Sequence, residues 1–458
     1  MVHTYSMNGL NIAVDGNSGG IHILDNAAYD LLVQGKGHFV YEKAAAPLRG
    51  RYSAEDIREA WEEINSLKEK GLLFSPEIKQ AALMNNVGID NGVKALCLHV
   101  AHDCNLSCEY CFASKGNYSL ANELMPLEVA VKAIDFLIKN SGQRKNVEID
   151  FFGGEPLLNF DVVKKTVAYG RKVGALAGKK FYFTITTNGM LLDDDKISYI
   201  NENMDNVVIS LDGRKKVHDA IRYDAVGNGT YDTILASALN LVRKRENKNY
   251  FIRGTFTSRN LDFSQDIFHL ADLGFGEISM EPVVGAGEDF HIRKEHVSII
   301  LSEYERLACD YIKRIKAGKP FRFYHFYINI YNGPCLYKRV AACGAGTEYF
   351  AVTPEGELYP CHHLVGRHEF KAGDLNTGIV NDALQAGFRE ANIFTKEECR
   401  QCWAKLFCSG GCHANSYFAN GDIMKPEKSV CAMQKKRIEC AIMIEACKVL
   451  ENDVGEVS

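Results

Sequence analysis

Three cysteines, Cys104, Cys108 and Cys111, fall within eight positions in the stretch AHDCNLSCEYCFAS, residues 101–114. Thiolates at this density bind zinc or an iron–sulfur cluster. Three ligands are one short of a closed tetrahedral site. His102 could complete a structural zinc, although the end of a strand is an unusual place for one. The other solution is a cluster with one iron left open to a cofactor or substrate. A denser array lies downstream: Cys399-x2-Cys402-x5-Cys408-x3-Cys412, then Cys431, with Cys343 and Cys361 upstream around Gly356. A zinc ribbon usually offers two Cys-x2-Cys knuckles and four ligands. Seven cysteines with one such knuckle favour two iron–sulfur clusters instead.

Bulk properties narrow the setting. The chain has 458 residues, enough for two to four domains, and 15 cysteines. Its start, MVHTYSMNGLNIAVDG, alternates like a strand and lacks the apolar core of a signal peptide. No run of roughly 18 apolar residues suggests a membrane span. A cytoplasmic location is therefore expected, where thiols stay reduced and so many cysteines point to metal rather than bridges. The net charge of −5 argues against gripping nucleic acid.

The elements that must hold these cysteines change in texture along the chain. Residues 1–80 open with short alternating stretches, HTYSM, LNIAVD and GIHILD. Two helices follow, a short one at 26–33 and a longer one between a Ser53 N-cap and a Gly71 stop. Ile57, Trp61, Ile64 and Leu67 fall on one face of the longer helix. Residues 81–94 read as a linker. From 95 to 290, strand candidates ALCLHV, VEIDFF, KFYFTITT, NVVISL, YFIRGTF and GEISMEPV alternate with amphipathic helices. Such alternation predicts an α/β parallel sheet, and six units suggest a partial (β/α)6 barrel with its chemistry at the C-terminal strand ends. Residues 291–334 supply bridging helices. Residues 335–458 form a Cys-rich extension with a C-terminal helix.

The Cys-x3-Cys-x2-Cys loop, with Tyr110 before its third cysteine, resembles the signature of radical S-adenosylmethionine (SAM) enzymes. Further marks of that family follow in order at later strand ends. GGEP (Gly153, Gly154, Glu155) resembles the loop that binds the SAM amino group, and TTNG, containing Asn188, ends the next strand. SLDG (Ser210, Asp212) and the downstream Arg222 resemble the ribose and carboxylate contacts. The family implies a [4Fe–4S] cluster whose open iron is chelated by SAM, and a 5′-deoxyadenosyl radical shielded by the barrel. The C-terminal array resembles the SPASM extension of peptide-modifying members. That pattern implies one auxiliary [4Fe–4S] cluster on Cys399, Cys402, Cys408 and Cys431, and a second on Cys343, Cys361 and Cys412. Two such clusters take eight thiolates. The eighth is either Cys335 or a substrate thiol at an open iron.

The N-terminal module has a winged-helix-like order, but its second helix is too acidic for DNA. It resembles the element that binds leader peptides of ribosomally made natural products by strand addition. The whole chain resembles the thioether (sactionine) maturases of six-cysteine SCIFF peptides. The resemblance implies a Cys-rich precursor peptide, sulfur-to-α-carbon closure and a low-potential flavodoxin- or ferredoxin-type electron donor. Sulfatase-maturing relatives carry an Asp base directly after the cysteine equivalent to Cys361. This chain has His362 there, a candidate base. The alternatives are another SPASM-type radical modification, such as sulfatase-type oxidation or carbon–carbon crosslinking, and a zinc-binding winged-helix regulator.

Overall fold

A computed structural model describes residues 1–35, 40–77, 92–285, 287, 289–328, 330, 340 and 342–456. Most of the expected linker and Cys335 lie outside these residues.

The three opening stretches form an antiparallel meander, β1 (Val2–Met7), β2 (Leu10–Asp15) and β3 (Ile21–Leu24), with Tyr5 opposite Ile12 and Ile12 opposite Ile23. Side chains alternate across this small sheet. Ala13 packs under the helices Asn26–Gly35 and Ala54–Glu69 with Leu31, Ile57 and Ile64. Ser53 caps the longer helix in a reciprocal capping box with Asp56, and Gly71 follows its end at φ +68°. The opposite face, Tyr5, Met7, Ile12 and Val14, belongs to the main hydrophobic core. The module is thus built into the body of the protein. The His3 ring stacks on Trp403 at 4.1 Å and its Nε2 meets Glu439 Oε1 at 2.8 Å. A Cβ on Gly16 would lie 2.6 Å from the Trp403 Cα, so only glycine allows this approach.

The six expected strands are present as β4 (Ala95–Ala101), β5 (Asn146–Gly153), β6 (Lys180–Thr187), β7 (Asn206–Ser210), β8 (Asn249–Phe256) and β9 (Glu277–Pro282). They pair in parallel and in chain order. Helices Leu127–Asn140, Phe160–Leu176, Asp194–Asn203, Tyr231–Arg245 and Phe263–Asp272 fall between or after them. The sheet is larger than the sequence suggests. β10 (Arg322–Phe323) continues it in parallel beyond β9. On the other side β11 (Tyr349–Val352) pairs in parallel with β4, followed by the short antiparallel β12 (Glu357–Tyr359), β13 (Gly373–Asp374) and β14 (Gly378–Ile379). The result is an eleven-stranded mixed sheet whose pairing runs open from β10 to β14.

Alternation along the strands sends Val147, Ile149, Phe151, Ile252 and Ile278 into the core. The opposite face carries Cys97, Asp150, Ser210, Arg253 and Glu281. The helix Val297–Lys316 packs along the C-terminal helix Lys428–Glu456, where the buried Cys440 Sγ lies 3.5 Å from the Tyr304 carbonyl. Among the described residues, no helix is long and apolar enough to cross a membrane.

Candidate functional site

Cys104, Cys108 and Cys111 sit on the irregular loop that leaves β4. Backbone bonds zip this loop to GGEP: Gly154 N donates to Ala101 O at 2.7 Å, and Glu155 N to Asp103 O at 2.8 Å. There is no room for side chains in the seam. A Cβ on Gly154 would lie 2.0 Å from the Asp103 oxygen, and one on Gly116 2.8 Å from the Cys104 Cβ. Glu155 is fully buried and accepts from the Thr187 hydroxyl (2.7 Å), Asn188 N (2.7 Å) and Leu157 N (3.0 Å). Burial pushes its pKa up to about 7 against these bonds. Its carboxylate therefore latches TTNG to GGEP. Asn188 completes the latch, donating to Asn105 Oδ1 at 2.8 Å, with its amide 3.7 Å from Cys104 Sγ.

A second network closes the opposite side. The Tyr110 hydroxyl donates to Asp212 Oδ2 at 2.6 Å and accepts from Arg222 Nη1 at 2.8 Å, while Thr255 N donates to Asp212 Oδ1 at 3.0 Å. The Arg222 Nε is buried with no hydrogen-bond partner among the described residues. A buried guanidinium with a spare donor beside the Cys108 thiol fits an anionic ligand at the cysteine loop. Ser210 ends β7, half-buried and on the same side of the sheet as Arg253.

The downstream cysteines separate into two neighbourhoods. Cys361, pushed up by burial, is close enough to Cys412 and Cys343 for each to raise it further. Cys431 is pushed up to about 12 by burial and then by Cys408, Cys399 and Cys402. Burial, partly offset by Lys396, and then Cys408 and Cys402 bring Cys399 to about 11. Among the described residues, no three Cys, His, Asp or Glu side chains converge on a single-ion position.

Aromatic rings span the gap between the first loop and Cys361. Phe112, next to Cys111, lies 4.1 Å from the ring of His363, which lies 4.4 Å from that of His362. His362 Nδ1 is 3.1 Å from the Tyr349 hydroxyl, and Tyr349 also bonds Cys97. Burial and the charge of Arg253 push His362 down to about 3, so it is neutral near pH 7. Its neighbours show why no motif announces this bridge, since Tyr349 comes from β11 and Cys97 from β4.

Motif reading also missed the charges facing the sheet. Burial would raise Glu281, at the end of β9, but neighbouring charges hold it at about 2. Arg437 Nη1 lies 3.1 Å from its carboxylate and Arg253 is nearby. His325, 3.5 Å from the same carboxylate, is the first of the groups that lower it, and acts so in its protonated form, itself pushed down to about 4 by burial.

The Radical SAM superfamily profile matches residues 98–256, spanning β4 to β8, and the SPASM iron–sulfur cluster-binding domain matches residues 343–403. The chain is 24% identical over 469 aligned positions to the radical SAM cyclopropyl synthase TigE of Paramaledivibacter caminithermalis, covering 96% of this chain and 93% of that one. Its fold is similar to that of anSMEcpe with bound AdoMet and Kp18Cys peptide (TM-score 0.64, 20% identity, 79% of this chain and 99% of that one). It is also similar to Streptococcus suis SuiB bound to precursor peptide SuiA (TM-score 0.51, 17% identity, 94% and 98%). The chain belongs to the radical SAM superfamily and carries a SPASM iron–sulfur domain.

Proposed function

We propose that the chain modifies a ribosomally made, Cys-rich precursor peptide in the cytoplasm, joining a Cys sulfur to an α-carbon as a thioether (sactionine) crosslink. The observation that carries this reading is the unequal gathering of thiols. Cys399, Cys402, Cys408 and Cys431 can hold one auxiliary [4Fe–4S] cluster completely, whereas Cys343, Cys361 and Cys412 offer three ligands to the other; Cys97, which also acts on Cys361, is bonded to Tyr349. Either Cys335, which lies outside the described residues, or a substrate thiol would complete that second set, and this reading takes the substrate thiol. Cys104, Cys108 and Cys111 would hold the cluster that binds SAM, and together with electrons from a flavodoxin- or ferredoxin-type donor it would supply the carbon radical chemistry that removes a peptide hydrogen. The residues of the chain position and shield. Gly153 and Gly154 keep the cysteine loop against GGEP, Glu155 and Asn188 latch the next strand end, and Arg222 offers its spare donor to the anionic end of SAM. A partial (β/α)6 curl of β4–β9 would exclude water. His362, neutral and bonded to Tyr349, is better suited to shape the passage between loop and Cys361 than to act as a strong base.

Similarity to TigE over most of the chain supports a second outcome, a carbon–carbon closure. Mass spectrometry after anaerobic reaction with a Cys-rich precursor distinguishes them. Loss of two hydrogens with one fewer alkylatable thiol supports the thioether. The same loss with every thiol still alkylatable, or no mass change at all, would overturn it.

The winged-helix-like N-terminal module is proposed to bind the leader. Within the described sheet β3 pairs only with β2, so its outer edge is free for a fourth strand, and Ile23 on it is 40% exposed. Deleting the module would strip Tyr5, Met7, Ile12 and Val14 from the main core, so a point change is the cleaner probe. Ile23→Glu is expected to weaken leader binding roughly tenfold, about 1.4 kcal/mol, in fluorescence anisotropy while the urea midpoint holds. Unaltered affinity would remove the module from recognition.

A further inference from the structure

Lys396 precedes Cys399 by three residues and is only 1% exposed. Its ammonium donates to the carbonyl of Gly410 at 3.0 Å. Gly410 lies midway between Cys408 and Cys412, which belong to different cysteine sets. Cys399, Cys412, Cys408 and Cys431 act on the lysine, and the lysine in turn disfavours the charged form of His413. Among the described residues no carboxylate lies within ion-pair distance of it. A buried ammonium with a single carbonyl acceptor is a costly arrangement, and two of its three N–H donors have no partner among the described residues. In contrast, Lys405, the other buried lysine nearby, bonds both Asn17 Oδ1 (2.8 Å) and the Arg400 carbonyl (3.1 Å).

An iron–sulfur cluster held by thiolates is a net anion with sulfur acceptors, and hydrogen bonds and charge near those sulfurs set its reduction potential. We propose that Lys396 is the shared counter-charge of the two auxiliary clusters, donating toward sulfur on both sides and making both easier to reduce. This rests on the iron–sulfur reading of the C-terminal cysteines. Lys396 is a positioning residue in this role; it touches no substrate.

The test uses the full chain carrying Cys104→Ala, Cys108→Ala and Cys111→Ala, so that only auxiliary clusters give an EPR signal. Lys396→Met removes the charge and the donor. Lys396→Gln removes the charge but keeps an N–H for Gly410. At a fixed poised potential, both are expected to lower the ratio of reduced to oxidised auxiliary cluster at least tenfold. In the chelator-stripped, cluster-free chain the Met variant is expected to melt no lower than its parent, because an unpaired buried charge has gone. An unchanged ratio in Lys396→Gln would overturn the proposal, as would a cluster-free Met variant that melts lower than its parent while the Gln variant keeps its ratio. Such a lysine would be a structural tie to Gly410. If the parent itself shows no cluster signal, the iron–sulfur reading fails first and the role of Lys396 falls with it.

Discussion

Gly154→Ala is expected to reduce reductive SAM cleavage by roughly a hundredfold or more. The added Cβ would sit 2.0 Å from the Asp103 carbonyl oxygen and 2.5 Å from its carbon, both backbone atoms of the residue before Cys104. Neither can rotate away, so the seam between the cysteine loop and GGEP must open by about 1 Å. Misplacement on that scale costs about 10²-fold when reacting groups have to be held in line. The auxiliary cysteines lie on other segments and should load as before. Quantifying 5′-deoxyadenosine per protein, alongside the EPR signal of the auxiliary clusters, separates this local effect from misfolding. Cleavage at the parent rate would show that the seam does not set the geometry.

Arg437→Met is expected to destabilise the protein by about 3 kcal/mol. Removing one partner of a buried ion pair costs roughly 3–5 kcal/mol, and the lower end applies because the Glu281 side chain keeps 34% of its surface accessible. Arg437 comes from the C-terminal helix and Glu281 from β9, so the loss also loosens that helix from the sheet. Adding Glu281→Gln to Arg437→Met should recover much of the loss, since no charge is then left behind. The sign with pH follows from the lowered carboxyl. The pair contributes fully above the ordinary Glu value of 4.5 and is lost as pH falls toward about 2. Urea unfolding of the cluster-free chain at pH 7 and pH 4 measures both effects. A single-variant midpoint equal to that of the parent at pH 7 would refute the pairing.

Local signals carried most of the fold. Each strand from β4 to β9 lies where β-branched and aromatic runs alternate with amphipathic helices, and the Ser53 cap and Gly71 stop set the ends of the helix between them. Spacing alone does not sort the downstream cysteines: Cys412 follows Cys408 by four residues yet acts on Cys361 together with Cys343, whereas the more distant Cys431 is the one that feels Cys408. What escaped depends on long-range pairing. β11 is four residues long, and nothing in YFAV says that it joins β4. The GGEP motif marks the position of Glu155 but not its surroundings: the bond from Leu157 N is local, whereas those from Thr187 and Asn188 exist only once β6 lies beside β5. Lys396, Arg437 and Glu281 are ordinary charged residues in the sequence. Burial by distant segments is what makes them consequential.

The contact of His3 with Glu439 joins positions 436 apart, and Tyr5 donates to the Glu439 carbonyl from the same strand. On the ribosome the small N-terminal sheet is made early, yet the partners that cover its core face arrive only when the C-terminal helix emerges. During synthesis Tyr5, Met7, Ile12 and Val14 therefore wait uncovered behind a chain of several hundred residues. Loop closure over that span is slow, and an exposed apolar strand face invites association with other chains. Production of active protein should consequently depend on holding chaperones, and fall when translation is slowed, more than the stability of the finished molecule would suggest.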